Sequence, residues 1–189
     1  MEFYTADMHF CHKNILKFEK SREVFGSDIG LMNETIIMNW NKVVTNEDTV
    51  NVIGDVGIGN EKDVVECMTR LNGKLRIWPG NHDTSKIINL LSQQKNIEIM
   101  PLMTKMKTHG ITVYVTHYPL EVGEKANLFN IHGHIHGMDG RLLTQINVGV
   151  DRDWGVPFGQ PIPKEVIEEE VLRRSVLLKE HNTSKRREG

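Results

Sequence analysis

Three short strand-like runs, Phe3–Ala6, Thr49–Ile53 and Lys74–Trp78, each stop at a compact polar cluster, and each is followed by a stretch of helical periodicity. This repetition constrains the chain more than any other feature. Strand-length runs alternating with helices build an α/β sheet, and such a sheet gathers its sites at the carboxyl ends of its strands. The three clusters are Asp7-Met8-His9, Gly54-Asp55 and Asn81-His82-Asp83. A single polar triplet after a strand is ordinary turn chemistry. Recurrence at equivalent positions points to a shared site.

The helical stretches are read from their spacing. His12–Phe18 is expected to be helical and 21–30 a loop. From Leu31 to Val44, the residues Met32, Ile36, Ile37, Trp40, Val43 and Val44 recur at helical spacing, which makes the Trp and Met core residues. Glu61–Leu71 places Val64, Val65, Met68 and Leu71 on one face. Asp83, Thr84 or Ser85 can cap a further helix that runs to about Gln93.

The second half changes character. Met103–Thr108 and Ile111–Thr116 flank His109-Gly110, the signature of a tight hairpin. The second strand of that hairpin ends at Thr116-His117-Tyr118-Pro119. Leu128–His132 is a strand ending at Gly133-His134-Ile135-His136, and Leu142–Val150 one more. Lys164 to about Glu180 reads as a last helix, acidic early and basic late, which suits the helix dipole. Residues 1–181 are expected to form one domain, with 182–189 a basic, disordered tail.

A chain of 189 residues is long enough for a sizeable core. A net charge of -2 gives no global field to draw it to nucleic acid or anionic membrane. Cys11 and Cys67 are too few for a disulfide framework, which favours a reducing compartment. No apolar run approaches the roughly 18 residues of a membrane span. Asp7 and His9 fall where the apolar region of a signal peptide would lie. The chain is therefore expected to be cytoplasmic, with no membrane and no inferable protein partner.

Five strand ends carry Asp, His or Asn. Where the strands share sheets, Asp7, His9, Asp55, Asn81, His117, His134 and His136 converge. Carboxylates, imidazoles and an amide oxygen suit Mn²⁺, Fe or Zn²⁺, whereas calcium prefers oxygen alone. Seven donors exceed one tetrahedral site and fit two ions that share a carboxylate. Both Asp7-x-His9 and His134-x-His136 have the two-residue spacing that keeps side chains on one side of a strand. Two dications against two aspartates and a bridging hydroxide leave a core of formal charge about +1, which attracts phosphate. Such a pair makes hydroxide available near neutral pH and clamps an in-line displacement at phosphorus.

Asp-x-His, Gly-Asp, Gly-Asn-His-Asp, a lone His and Gly-His-x-His, in that order from Asp7 to His136, resemble the motifs of calcineurin-like metallophosphoesterases. The opening Asp-x-His-Phe-x-His-Lys-Asn-Ile is similar to that of small bacterial and phage members. The resemblance implies a four-layer α/β/β/α sandwich of two mixed sheets flanked by helices. It implies one metal held by Asp7, His9, Asp55 and His136, and a second held by Asp55, Asn81, His117 and His134. A hydroxide bridging the two ions would be the nucleophile. His82 would bind no metal; it would contact the phosphate and protonate the leaving oxygen. Mn²⁺ is the favoured ion, with Fe, Zn²⁺ and Ni²⁺ as the others.

One departure narrows the substrate. The phosphoprotein phosphatase branch continues Gly-Asp-x-x-Asp-Arg-Gly, whereas this chain has Gly54-Asp55-Val56-Gly57-Ile58-Gly59. The second Asp and the Arg are missing, and with them a phosphate clamp and the usual partner of the catalytic histidine. Arg141 or Arg152 could reach the site from later loops. Asp83 is the nearest partner for His82 in sequence, though helix capping suits it better. His12 could touch substrate, or merely start a helix. His132 reads as a packed strand histidine, His109 as a turn residue, His181 as an exposed helix end and Cys11 as packing. The expected function is a phosphodiesterase acting on a small phosphodiester or nucleotide, with nucleic acid only as substrate. A phosphomonoesterase or nucleotide pyrophosphohydrolase with the same core, and a non-catalytic scaffold, are the alternatives.

Overall fold

The structure, a computed structural model, describes residues 1–187, side chains from 184 onward excepted. In chain order the elements are β1 (Glu2–Thr5), α1 (Ile15–Phe18), a 3-10 segment (Lys20–Phe25), α2 (Ile29–Asn41), β2 (Thr49–Val52), α3 (Glu61–Thr69), β3 (Lys74–Ile77) and α4 (Ser85–Leu91). There follow β4 (Ile97–Ile99), β5 (Met103–Thr108), β6 (Ile111–Thr116), β7 (Leu128–His132), β8 (Gln145–Asn147), β9 (Ile162–Pro163) and α5 (Lys164–Arg187). They form two mixed sheets, ordered β4-β3-β2-β1-β9 and β5-β6-β7-β8. An α/β fold of two mixed sheets flanked by helices is what the sequence leads one to expect.

Side-chain alternation decides the layers. Phe3, Val50, Leu75 and Ile97 are register partners across four parallel strands and face the helices. Against that row α2 buries Met32, Ile36, Ile37 and Trp40, and α3 buries Val64 and Met68. The Trp40 indole N–H donates to the Asn72 carbonyl at 2.9 Å, so this large side chain is buried without an orphaned donor. On the opposite face Tyr4, Ala6, Ile53 and Trp78 meet Val113, Val115, Phe129, Ile131 and Ile146 of the second sheet. α5 adds Ile167, Val171 and Leu178 to this inter-sheet cluster. The far face of the second sheet is polar: buried Asn130, Gln145 and Asn147 bond the backbones of Leu120, Leu142, His136 and Met138, so loops cover it.

Several boundaries differ from expectation. β4 and β9 are too short to leave a periodic signal, and β9 carries Pro163 at a sheet edge, where its missing N–H is tolerated. The run 142–150 is a strand only over Gln145–Asn147. Beyond it, Val148 N–H donates to His132 O and Val150 N–H to Ala6 O, so the chain crosses from one sheet to the other. Helix α1 is a single turn, because His12–Asn14 form the turn that leaves the strand end. The segment expected as loop contains the 3-10 turn, and Asp28 caps α2 by accepting from Leu31 N–H. The backbone of α5 continues helical to Arg187, and residues 188–189 at the end of the expected tail lie outside the described residues. Among the described residues no helix is long and apolar enough to cross a membrane.

Candidate metal centre

The strand ends are built from backbone that side-chain-bearing residues seldom adopt. Asp7, His9, Asp55, His134 and His136 all have positive φ, between 51° and 70°. Each such residue costs on the order of 1–3 kcal/mol and persists only where its surroundings over-determine it. Here the strand-end loops pin one another. Asp7 N–H donates to Gly54 O at 3.0 Å, His9 N–H to Asp55 O at 3.1 Å, and Gly133 N–H to His117 O at 3.1 Å. His134 N–H donates to both carboxylate oxygens of Asp7, at 2.9 and 3.0 Å. Gly54, at φ 83°, must be glycine, because a Cβ there would collide with the His117 ring and the Gly80 backbone. The left-handed turns redirect side chains from both sheets toward one point.

The seven residues expected to converge do so. Asp7, His9 and His136 offer donor atoms within 4.8 Å of one another, and so do Asp55, His117 and His134. Asp55 lies between the groups, its Oδ2 3.3 Å from His117 Nε2 and 3.7 Å from His9 Nε2. Asn81 Oδ1 is 3.0 Å from His117 Nε2 and 2.9 Å from His134 Nδ1, which places it with the second group. His117 Nδ1–H donates to the Ile53 carbonyl at 2.8 Å, so Nε2 faces the centre.

The donors fit a divalent ion. Both ring nitrogens of His9 are buried with no hydrogen-bond partner among the described residues. An orphaned buried imidazole is costly unless something ligates it. Burial pushes His9 down to about 2, which keeps it neutral, the form that binds metal. Burial also raises the Asp7 carboxyl to about 7, against the pull of His117 and His136. Asp55 is lowered to about 2: burial opposes this, and the His117 contact overcomes it. A buried carboxyl that resists ionisation beside a neutral imidazole could hold a cation, whose charge would favour the ionised carboxylate.

His82 stands apart from both groups. Its ring is exposed, 5.4 Å from that of His9, and its backbone N–H donates to Asp55 Oδ1 at 2.9 Å. Asp83 neither caps α4 nor approaches as a ring partner. Thr84 is the cap, accepting from Ile87 N–H, while the Asp83 carboxylate accepts from the N–H groups of Asp55, Val56 and Gly80. It clasps the second strand end to the third. Arg141 pairs with Glu121, and Arg152 with Asp139. His132 is buried, with Nδ1 donating to Gly133 O at 2.8 Å, and burial lowers it to about 4, as befits a packed strand histidine. His109 sits in the hairpin turn at φ 47°.

The sequence reading missed Arg22 and Asp151. Arg22 is fully buried and grips Asp151 in a two-pronged pair at 2.8 and 2.7 Å. The same guanidinium donates to the carbonyls of Asp7 at 2.7 Å and Met8 at 3.1 Å. Asp151 Oδ2 in turn meets His136 Nδ1 at 3.0 Å, fixing that ring with Nε2 toward Asp7. Nothing in the spacing flagged this pair: Arg22 lies in a stretch without periodicity, and Asp151 follows the last motif.

No family model matches the chain. The uncharacterized protein MJ1445 of Methanocaldococcus jannaschii is 37% identical over 83 residues, which cover 43% of this chain and 46% of that protein. The match thus spans under half the length of this curated relative. A solved structure, a protein of unknown function AQ665 from Aquifex aeolicus, is similar over 89% of this chain and 98% of its own, with a TM-score of 0.65 and 24% identity. That likeness supports the fold. An archaeal phosphodiesterase is similar over 80% of this chain and 83% of its own, at a TM-score of 0.43 and 18% identity, too slight to bear on function.

Proposed function

We propose that this chain is a dinuclear metal-dependent phosphohydrolase of the calcineurin-like metallophosphoesterase kind, acting on phosphodiesters. The observation that carries the reading is Asp55, one buried carboxylate lying between two donor groups, beside a histidine with two orphaned nitrogens. Asp7, His9, Asp55 and His136 would hold one ion; Asp55, Asn81, His117 and His134 would hold the other. Bound there, two divalent ions supply a lowered pKa for water and neutralise charge on phosphate oxygens.

The chain's own residues do the rest. The exposed His82 ring beside the cluster is suited to donate a proton to the departing ester oxygen, a role worth roughly 10²–10⁴-fold. The Asp55 carboxylate holds the backbone N–H of His82 and so sets where that ring stands. Two aspartates against two dications leave a positive core that matches a diester monoanion, and the phosphoprotein-type arginine clamp for a dianion is missing after Asp55. Mn²⁺ is the favoured ion. The test is kcat/KM for a diester and its matching monoester, with one leaving group and Mn²⁺ present. The diester should be preferred; a monoester preference of about tenfold or more would replace this reading with a phosphomonoesterase.

A further inference from the structure

A cleft of about 450 Å³ opens beside the cluster and is unexplained by metal chemistry. His12 is the wall it shares with the site. The His12 ring is 5.3 Å from that of His9 and 6.3 Å from that of His82, and its Nδ1 is buried with no partner among the described residues. A substrate phosphate lying over the cluster within reach of His82 would have His12 beside it, with the cleft open to an ester arm that passes that ring.

The lining says what that arm is. Ile29 and Ile58 are half-buried apolar walls. Asn60 uses its side-chain oxygen to cap α3 at Lys62 N–H, 2.9 Å, which leaves its amide N–H₂ to donate. Asp63 adds an exposed carboxylate, an acceptor for hydroxyls. Lys13 also lines the cleft, so its cation and the Asp63 carboxylate offset one another and leave no net positive charge to hold a second phosphate. A plain alkyl arm would leave the amide and the carboxylate unpaired, at a cost. A flat ring carrying hydroxyls and donor or acceptor edges satisfies all four residues. Resting on the phosphodiester reading above, we propose that the cleft beyond His12 is a subsite for the nucleoside arm of the substrate.

The test uses the Mn²⁺-loaded protein and two diesters with the same leaving group: the p-nitrophenyl ester of adenosine 5′-monophosphate, and methyl p-nitrophenyl phosphate. The nucleoside diester should be favoured by about tenfold or more in kcat/KM. Ile58→Trp, which fills the cleft, and Asp63→Ala should each cut that preference by about tenfold, mainly through KM. Equal treatment of the two diesters by the native protein, or equal losses on both in the variants, would overturn the subsite. Cleavage of neither would overturn the phosphodiesterase reading instead. Calorimetric binding of adenosine 5′-monophosphate then decides the subsite alone: binding weakened by Ile58→Trp supports it, and absent or unweakened binding overturns it.

Discussion

His9 and His134 are both histidines held at positive φ just past a strand, and their surroundings are opposite. His9 is 1% exposed, without a hydrogen-bond partner among the described residues, and held neutral by burial; His134 is half-buried, touches exposed Asn81, and packs its ring 4.5 Å from that of exposed Tyr118. Each group combines two buried residues with one half-buried histidine, and the groups differ in their support: the Asp7–His9–His136 side is braced by the buried Arg22–Asp151 pair, whereas the Asp55–His117–His134 side has exposed Asn81 beside it. A preorganised, braced donor set binds its ion tightly, whereas a less braced one exchanges ions more readily. We therefore expect unequal affinities, with the first ion retained when the second is removed.

The largest effect should come from the residue common to both sides. Asp55→Asn removes the shared charge and should abolish binding of both ions, with turnover falling on the order of 10⁴-fold or more. Metal analysis and steady-state rates check it; a variant with both ions and normal turnover breaks the comparison at its hinge. Next, His82→Ala should keep both ions and slow hydrolysis by roughly 10²–10⁴-fold, less for substrates whose leaving groups need no proton. An equal loss across leaving groups of all pKa values would remove His82 from the acid role.

A smaller change separates the two sides. Asp151→Ala strips His136 of its orienting partner and leaves the Arg22 charge buried alone. It should cost about 3–5 kcal/mol of stability and weaken the first ion by about 10–100-fold, while Asn81→Ala weakens only the second. Denaturant melts and competitive chelation measure both. Equal weakening of both ions by Asp151→Ala would mean that the brace serves the whole centre.

The pattern explains what the sequence could reveal. The candidate ligands were legible because metal chemistry calls for particular residues just past strands, and strands of four to six residues leave a periodic trace. Arg22 was invisible because its role depends on which carbonyls lie over a loop, a fact fixed by tertiary packing alone. Asp83 was misread for a similar reason. It stands one residue before the true cap, and only the fold reveals that three N–H groups from two loops converge on it. β9 could not be read from two residues, and it pairs with β1 from the far end of the chain.

The gentlest test is pH, applied to the metal-free protein. Burial raises Asp7 from its ordinary 3.8 to about 7 and lowers His9 from 6.5 to about 2. Between about pH 4 and 6.5 the folded chain holds one proton more at Asp7 and one fewer at His9 than the unfolded chain, so their contributions cancel. Below about pH 4 only the His9 deficit remains. Asp55 and Asp151 add to it, both held low, against burial, by their histidine and arginine neighbours. The unfolded chain then binds more protons, and stability falls as pH drops. Above about pH 6.5 His117 and His136, raised against burial by Asp55 and Asp151, hold protons the unfolded chain has lost, and stability falls as pH rises. Between those limits His132, lowered by burial to about 4, and His12 and His134, also lowered by burial, leave the folded chain short of protons, so calorimetry in chelator should give a Tm that is highest near about pH 6.5 and declines on both sides.

The shared carboxylate is best tested by counting ions and asking whether they sense each other. The protein is stripped, reconstituted with Mn²⁺, analysed for metal and examined by electron paramagnetic resonance. Asp55 between two donor groups predicts a stoichiometry approaching two per chain, filled in two steps, with a spin-coupled signal emerging as the second ion binds. One ion per chain at full turnover, or two ions without coupling, would contradict it.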